Sequence, residues 1–153
     1  MPAGTLVSIN VSNGGVPKLA VENCRITALG LEGDRQRDLR YHGGPDRAVC
    51  LYSWERIAAL QAEGHPIACG TIGENLTIAG LDWTLLSPGR RLGVGEVELE
   101  LTSYASPCGN VAPSFVRGDL KRVSHKRHPG WSRLYAKVLR EGVVRTNDPV
   151  ALG

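Results

Sequence analysis

The chain has 153 residues, of which 42% are apolar and 22% charged, the proportions of an ordinary folded domain. This apolar content excludes a disordered chain, which could not offset its ordering entropy, and no run of about 18 apolar residues exists to cross a membrane as a helix. Net charge is +3 but uneven: positions 117 to 145 hold nine basic and two acidic residues, and the remainder is net acidic.

The opening residues MPAGTLVSIN lack the charged start and long apolar core of a secretion signal. The expectation is a cytoplasmic, reduced chain forming one domain over residues 1–153. Cys24, Cys50, Cys69 and Cys108 are widely spaced, with no CxxC or CxxH pair of the kind that structural zinc requires.

Leu6–Val11 reads as a strand, closed by the turn Ser12-Asn13-Gly14-Gly15. Val21–Leu29 mixes β-branched and polar residues and reads as a second strand. Ala48–Tyr52 is a short apolar run, hence a buried strand. Ser53 is placed to cap a helix over Trp54–Glu63, with Gly64 as its stop. From Glu96 to Leu101 the residues alternate strictly, with Val97, Leu99 and Leu101 on one face and three glutamates on the other. Leu134–Leu139 and Val143–Thr146 flank Glu141-Gly142 and predict a hairpin. Val150–Leu152 reads as a last strand. Many short strands and few helices predict a mainly β fold, a mostly antiparallel barrel with a few peripheral helices. A doubly wound sheet would need alternating helices that the sequence lacks.

Four segments could carry chemistry. Cys108 follows the alternating strand, in Ser103-Tyr104-Ala105-Ser106-Pro107-Cys108-Gly109-Asn110. Pro107 cannot extend a ladder, so the thiol falls at a strand-to-loop corner where it can meet a ligand or simply pack in a turn. Cys50, inside an apolar run, reads as core. The segment from Gly33 to Arg47 brings glycines together with Arg35, His42 and Arg47, which could bind an oxyanion or form a polar surface loop. In Gly73-Glu74-Asn75-Leu76-Thr77 the Asn75 amide can both donate and accept, as reading a heterocycle edge requires. From Lys121 to Trp131, two lysines, two arginines and two histidines precede an indole, a set suited to phosphate, to a flat ring or to solvent.

Taken together, four blocks resemble the MOSC domain, named after the C-terminal part of molybdenum cofactor sulfurases. They are GLEGDRQRDLRYHGGPDRAVCLYSWE, GTIGENLTIAGLDW, LTSYASPCGNVAPSF and HPGWSRLYAKVLREGVVRTNDPV, and they span about Gly30 to Val150. The chain is most similar to the small bacterial stand-alone type.

The resemblance implies a MOSC-type β-barrel that binds the molybdenum cofactor. It implies that Cys108 is the catalytic thiol and ligates molybdenum or carries sulfur. It places cofactor contacts on Arg35 and Asn75, and pocket lining on His42. Thiolate is a soft ligand such a metal accepts, and arginine suits the cofactor phosphate. Lys126, Arg127 and Trp131 are expected to join the pocket, because Pro129-Gly130 can fold that loop back.

The resemblance implies two activities. One is molybdenum-dependent reduction of N-hydroxylated compounds, with electrons from separate redox proteins, since no GxGxxG motif is present. The other is a non-catalytic sulfur-carrying or cofactor-binding module in cofactor maturation. Pyridoxal phosphate attaches to the family by association, but no residue here suggests a site for it. An acidic electron-transfer partner or cofactor donor would suit the basic segment. A nucleic-acid-binding barrel ranks last, because few aromatics accompany the basic residues.

Overall fold

The computed structural model describes residues 3–14, 16–34 and 45–153. In chain order the strands are β1 (Ala3–Val11), β2 (Leu19–Val21), β3 (Asn23–Thr27), β4 (Gly30–Leu31) and β5 (Val49–Ser53). The helix α1 (Trp54–Ala62) comes next, then β6 (Leu76–Ala79), β7 (Arg91–Val94), β8 (Val97–Ala105), β9 (Arg133–Arg140), β10 (Gly142–Arg145) and β11 (Pro149–Leu152). Single 3-10 turns decorate the connections, three of them between β8 and β9.

Seven strands close into a barrel in the order β11-β7-β8-β9-β5-β6-β1, and β1 pairs back onto β11. Closure leaves no unpaired edge within the ring. Every pairing in it is antiparallel except β5 with β6, which are joined through α1 as a parallel crossover requires. The predicted mainly β barrel is therefore the fold. Inside it lie Val97, Leu99 and Leu101 of the alternating strand, against Leu92, Val94 and Ala136.

The helix begins and ends for local reasons. Ser53 Oγ accepts the Arg56 N–H at 3.1 Å, which caps the first turn. At the other end Gly64 takes a φ of +99°, its N–H donates to Gln61 O, and His65 N–H donates to Leu60 O. This paired closure satisfies the last carbonyls and needs the left-handed residue that glycine supplies. Ile57 and Leu60 face the core. No helix among the described residues is long and apolar enough to cross a membrane.

Two sequence expectations are corrected. Val21–Leu29 is not one strand. Leu19–Val21 pairs with β1, whereas Asn23–Thr27 pairs with β4 and β10 in a separate three-stranded sheet. The break falls at Glu22, whose carbonyl accepts both the N–H and the hydroxyl of Thr146. The hairpin around Glu141-Gly142 does not form either. Only Glu141 separates β9 from β10, too little for a two-residue turn. β10 instead crosses to β3, and Glu141 Oε2 anchors the crossing by accepting Ala28 N–H at 2.8 Å.

Two bulges redirect side chains. In β8 the pairing with β9 slips between Leu101 and Ser103. The extra residue reverses the alternation beyond it, as a bulge does. Leu101 and Tyr104 pair with Ala136 and Leu134, while Ser103 and Ala105 pair with Tyr135 and Arg133. In β1 a slip between Leu6 and Ser8 places both Leu6 and Ile9 in the core and leaves Asn10 buried on the opposite side.

Candidate functional site

The bulge in β8 builds one wall of the site. Ala105 joins Cys50 and Tyr135 in a small cluster separate from the main core. Cys50 and Tyr135 are direct partners across β5 and β9. The Arg47 guanidinium lies 5.5 Å from the centroid of the Tyr135 ring. Burial pushes the Cys50 thiol up to about 11 and the Tyr135 hydroxyl up to about 12. Both groups are therefore neutral at physiological pH, as desolvation favours.

Cys108 stands two residues beyond the Ser106 carbonyl, half-buried, at the start of the 3-10 turn Gly109–Ser114. Its carbonyl accepts Val111 N–H at 3.0 Å, which fixes the corner, while its side chain makes no capping bond. Ala105 of the buried cluster stands three residues before Cys108, so the corner thiol and the cluster share one region. Gly109 is not in the left-handed region, and a Cβ there would meet nothing within 4 Å among the described residues. What this glycine supplies is open space beside the thiol.

Arg133 ties that corner to the Gly73–Asn75 turn. Its Nη1 donates to Ile72 O at 2.7 Å and its Nη2 to Ser106 O at 3.3 Å. The residue is only 4% exposed, and its Nε finds no partner among the described residues. Glu74 is fully buried beside it. Glu74 Oε2 accepts Gly70 N–H at 3.0 Å and the Thr77 hydroxyl at 3.1 Å, while Oε1 has no partner among the described residues. Burial raises the Glu74 pKa against the pull of these donors and of Arg133.

Asn75 is more fully occupied than reading a heterocycle edge would allow. Its Oδ1 accepts Cys50 N–H at 3.0 Å. Its Nδ2 donates to Asn10 O at 3.2 Å and to Asp34 Oδ2 at 2.9 Å. Both amide protons are spent on the protein, so Asn75 holds β5, β1 and Asp34 together. Asp34 also pairs with Lys18, whose Nζ lies 2.7 Å from each carboxylate oxygen, and accepts Ser12 N–H at 2.9 Å. This buried ion pair fixes the residue immediately before Arg35.

Arg35 and His42 themselves lie outside the described residues. Cys108 and Asn75 are brought to one region, joined through Arg133 and the 72–75 turn. Lys126 and Arg127 stand exposed on the turn before Pro129. The Trp131 ring lies between two guanidiniums, with Arg56 Cζ 4.3 Å and Arg122 Cζ 4.0 Å from its centroid. One face has room for a single guanidinium at that distance, so both faces are covered. Arg122 is held further by Glu63, with bonds of 2.9 and 2.7 Å. Among the described residues no hydrogen bond, ion pair or ring contact joins Lys126, Arg127 or the Trp131 ring to Cys108, Arg133 or Asn75.

Among the described residues the cations that reach the site are Arg133, Lys18 and, over the Tyr135 ring, Arg47. In the sequence alone Arg133 is one more member of a basic run. The available signal is its position at the head of an apolar strand, in Ser132-Arg133-Leu134-Tyr135-Ala136, where a charge must find buried partners.

A family model, the MOSC domain, matches residues 38–151. The chain belongs to the MOSC domain family. This MOSC chain is 34% identical over 119 residues to YflK of Bacillus subtilis, covering 74% of this chain and 51% of YflK. It is 34% identical over 134 residues to YiiM of Escherichia coli, covering 83% of this chain and 58% of YiiM. The crystal structure of YiiM from Escherichia coli superposes with a TM-score of 0.72 at 25% identity, covering 98% of this chain and 69% of that one. The chain thus spans little more than half the length of the curated relatives it matches.

Proposed function

We propose that this MOSC chain binds the molybdenum cofactor through Cys108 and reduces N-hydroxylated compounds, taking electrons from a separate protein. The observation that carries the reading is Arg133, which bridges the Cys108 corner to the turn that holds Asn75.

The residues suit such a group. A half-exposed thiol stands at a corner with open space beside Gly109, as a soft metal ligand needs. Behind it, Arg133 Nε and Glu74 Oε1 are buried without partners among the described residues. A bound polar ligand with donors and acceptors would complete such unmet groups. Arg133 supplies positive charge toward an anionic cofactor, while the Lys18–Asp34 ion pair anchors the residue directly before Arg35. Asn75 acts as a positioning residue that fixes Cys50 and Asp34. When bound, the cofactor supplies two-electron reduction of an N–O bond, which yields the amine and water with two protons. The chain's own part is to ligate, orient and hold the pocket polar and positive.

Holo protein, made in a host that synthesises the cofactor, tests this directly. With a chemically reduced viologen as donor, it should consume donor when an aryl hydroxylamine is added, and Cys108→Ala should not. Cyanide-releasable sulfur on Cys108 without any donor consumption would replace the reductase reading with the sulfur-carrying one.

A further inference from the structure

The other face of the β8–β9 ladder carries a cavity of about 280 Å³. Tyr104 and Leu134 are directly paired there, and the next pair, Ala105 with Arg133, points to the Cys50–Tyr135 side. The two sites are therefore separated by the thickness of the ladder. Trp83, Leu86 and Leu134 give the cavity apolar walls. Tyr104 and His125 form one further wall, stacked at 3.6 Å between centroids with 7° between their planes.

Most polar groups in that wall are already spent. Trp83 Nε1 donates to Ser132 O at 3.0 Å, the Thr84 hydroxyl to Asp82 at 2.5 Å, and the Ser132 hydroxyl reaches Ala105 O at 3.1 Å. His125 Nδ1 accepts Gly130 N–H at 3.5 Å, so Nε2 is the ring nitrogen that donates. Among the described residues nothing pairs with His125 Nε2 or with the Tyr104 hydroxyl. The cavity thus offers a stacked aromatic wall that carries two groups able to donate, His125 Nε2 and the Tyr104 hydroxyl.

We infer that this cavity binds a small planar heteroaromatic of one or two rings, bearing a ring nitrogen or carbonyl as acceptor. The size is set by the volume, which is below that of pockets for drug-sized ligands. The flatness is set by the aromatic walls, which favour stacked or edge contacts. The acceptor is set by the two donors. This assignment does not depend on what Cys108 binds.

Isoquinoline, with a ring nitrogen acceptor, and indole, of similar size with only a donor, are the probes, titrated into the whole chain and monitored by amide NMR. Isoquinoline should shift the Gly130 and Ser132 amides with a dissociation constant on the order of 1 mM, the range open to about ten non-hydrogen atoms. Indole should bind about fivefold more weakly, and Tyr104→Phe or His125→Phe, whichever removes the donor to the single ring nitrogen, should weaken isoquinoline by about fivefold, the loss expected for one neutral hydrogen bond. Cys108→Ala should leave isoquinoline binding unchanged. Equal binding of the two probes, wild-type affinity in both variants, no shifts, or shifts centred on Cys50 and Tyr135 would each overturn the assignment.

Discussion

Asn75 and Cys50 close a small ring across the parallel pairing of β5 with β6: Asn75 N–H donates to Cys50 O at 2.7 Å, and Cys50 N–H donates to Asn75 Oδ1 at 3.0 Å. The side chain thereby extends a ladder that the backbone begins one residue later, at Leu51 and Leu76. Removing it leaves Cys50 N–H and Asn10 O buried without partners and deprives Asp34 of a donor. Asn75→Ala should therefore cost about 3 kcal/mol, since each unmet buried group costs about 1–3 kcal/mol. Urea unfolding at neutral pH measures this, with an unchanged m-value expected.

Glu74 should give the protein a characteristic pH response. Its folded pKa is raised above the ordinary carboxylate value of about 4.3. In the window between those two values the folded state binds the proton and the unfolded state does not. Stability from this group therefore falls as pH rises through the window, and the penalty persists above it. Glu74→Gln should flatten that fall and be the more stable protein at neutral pH. Urea midpoints of both proteins from about pH 4.5 upward, near the unfolded carboxylate value, would show the two curves converging toward acid.

Cys108 should separate from Cys24 and Cys50 by alkylation. Cys108 is half-exposed, whereas Cys50 is buried with its pKa pushed up to about 11. At about pH 8 iodoacetamide should modify Cys108 first, with Cys50 roughly a hundredfold slower than an ordinary exposed thiol. Cys24 is also buried, with its pKa raised mainly by that burial. Peptide mapping over time should show Cys24 and Cys50 modified only as the chain unfolds. Early modification of Cys50 would contradict the placement of the small cluster.

Arg133→Ala should cost more than a typical surface arginine, about 3–5 kcal/mol, because it strips the buried Glu74 of its cation and two carbonyls of their donor. Arg133→Lys keeps the charge but not the planar fork that spans Ile72 O and Ser106 O. Hydrogen exchange should show faster exchange at Val111 in Arg133→Lys, since its N–H bond to Cys108 O depends on the corner staying in place.

Much of this fold is legible in the residues. Strict alternation from Glu96 to Leu101 specifies a barrel strand, and Ser53 with Gly64 specifies both ends of α1. The extension of β8 to Ala105 is not legible, because the bulge after Leu101 shifts the pattern by one residue and Tyr104 then breaks the expected order. The Glu141-Gly142 turn misleads because local chemistry permits a hairpin while Glu96 and Ala28 draw the chain across to β3. Cys108 and Asn75 stand out as candidates from their own contexts, but the bonds of Asn75 to Cys50, Asn10 and Asp34 do not. Lys18, Asn10 and Arg133 enter the site through partners far away in the chain, and nothing in their neighbours announces it.

The metal content of Cys108→Ser, prepared beside the wild type in a cofactor-competent host, tests the thiol's role most directly. Molybdenum and pterin should approach one per chain in the wild type, and Cys108→Ser should lose the molybdenum while keeping the same unfolding free energy to within about 1 kcal/mol, as a substitution at a half-exposed corner allows. Equal molybdenum in both proteins would contradict Cys108 as the ligand.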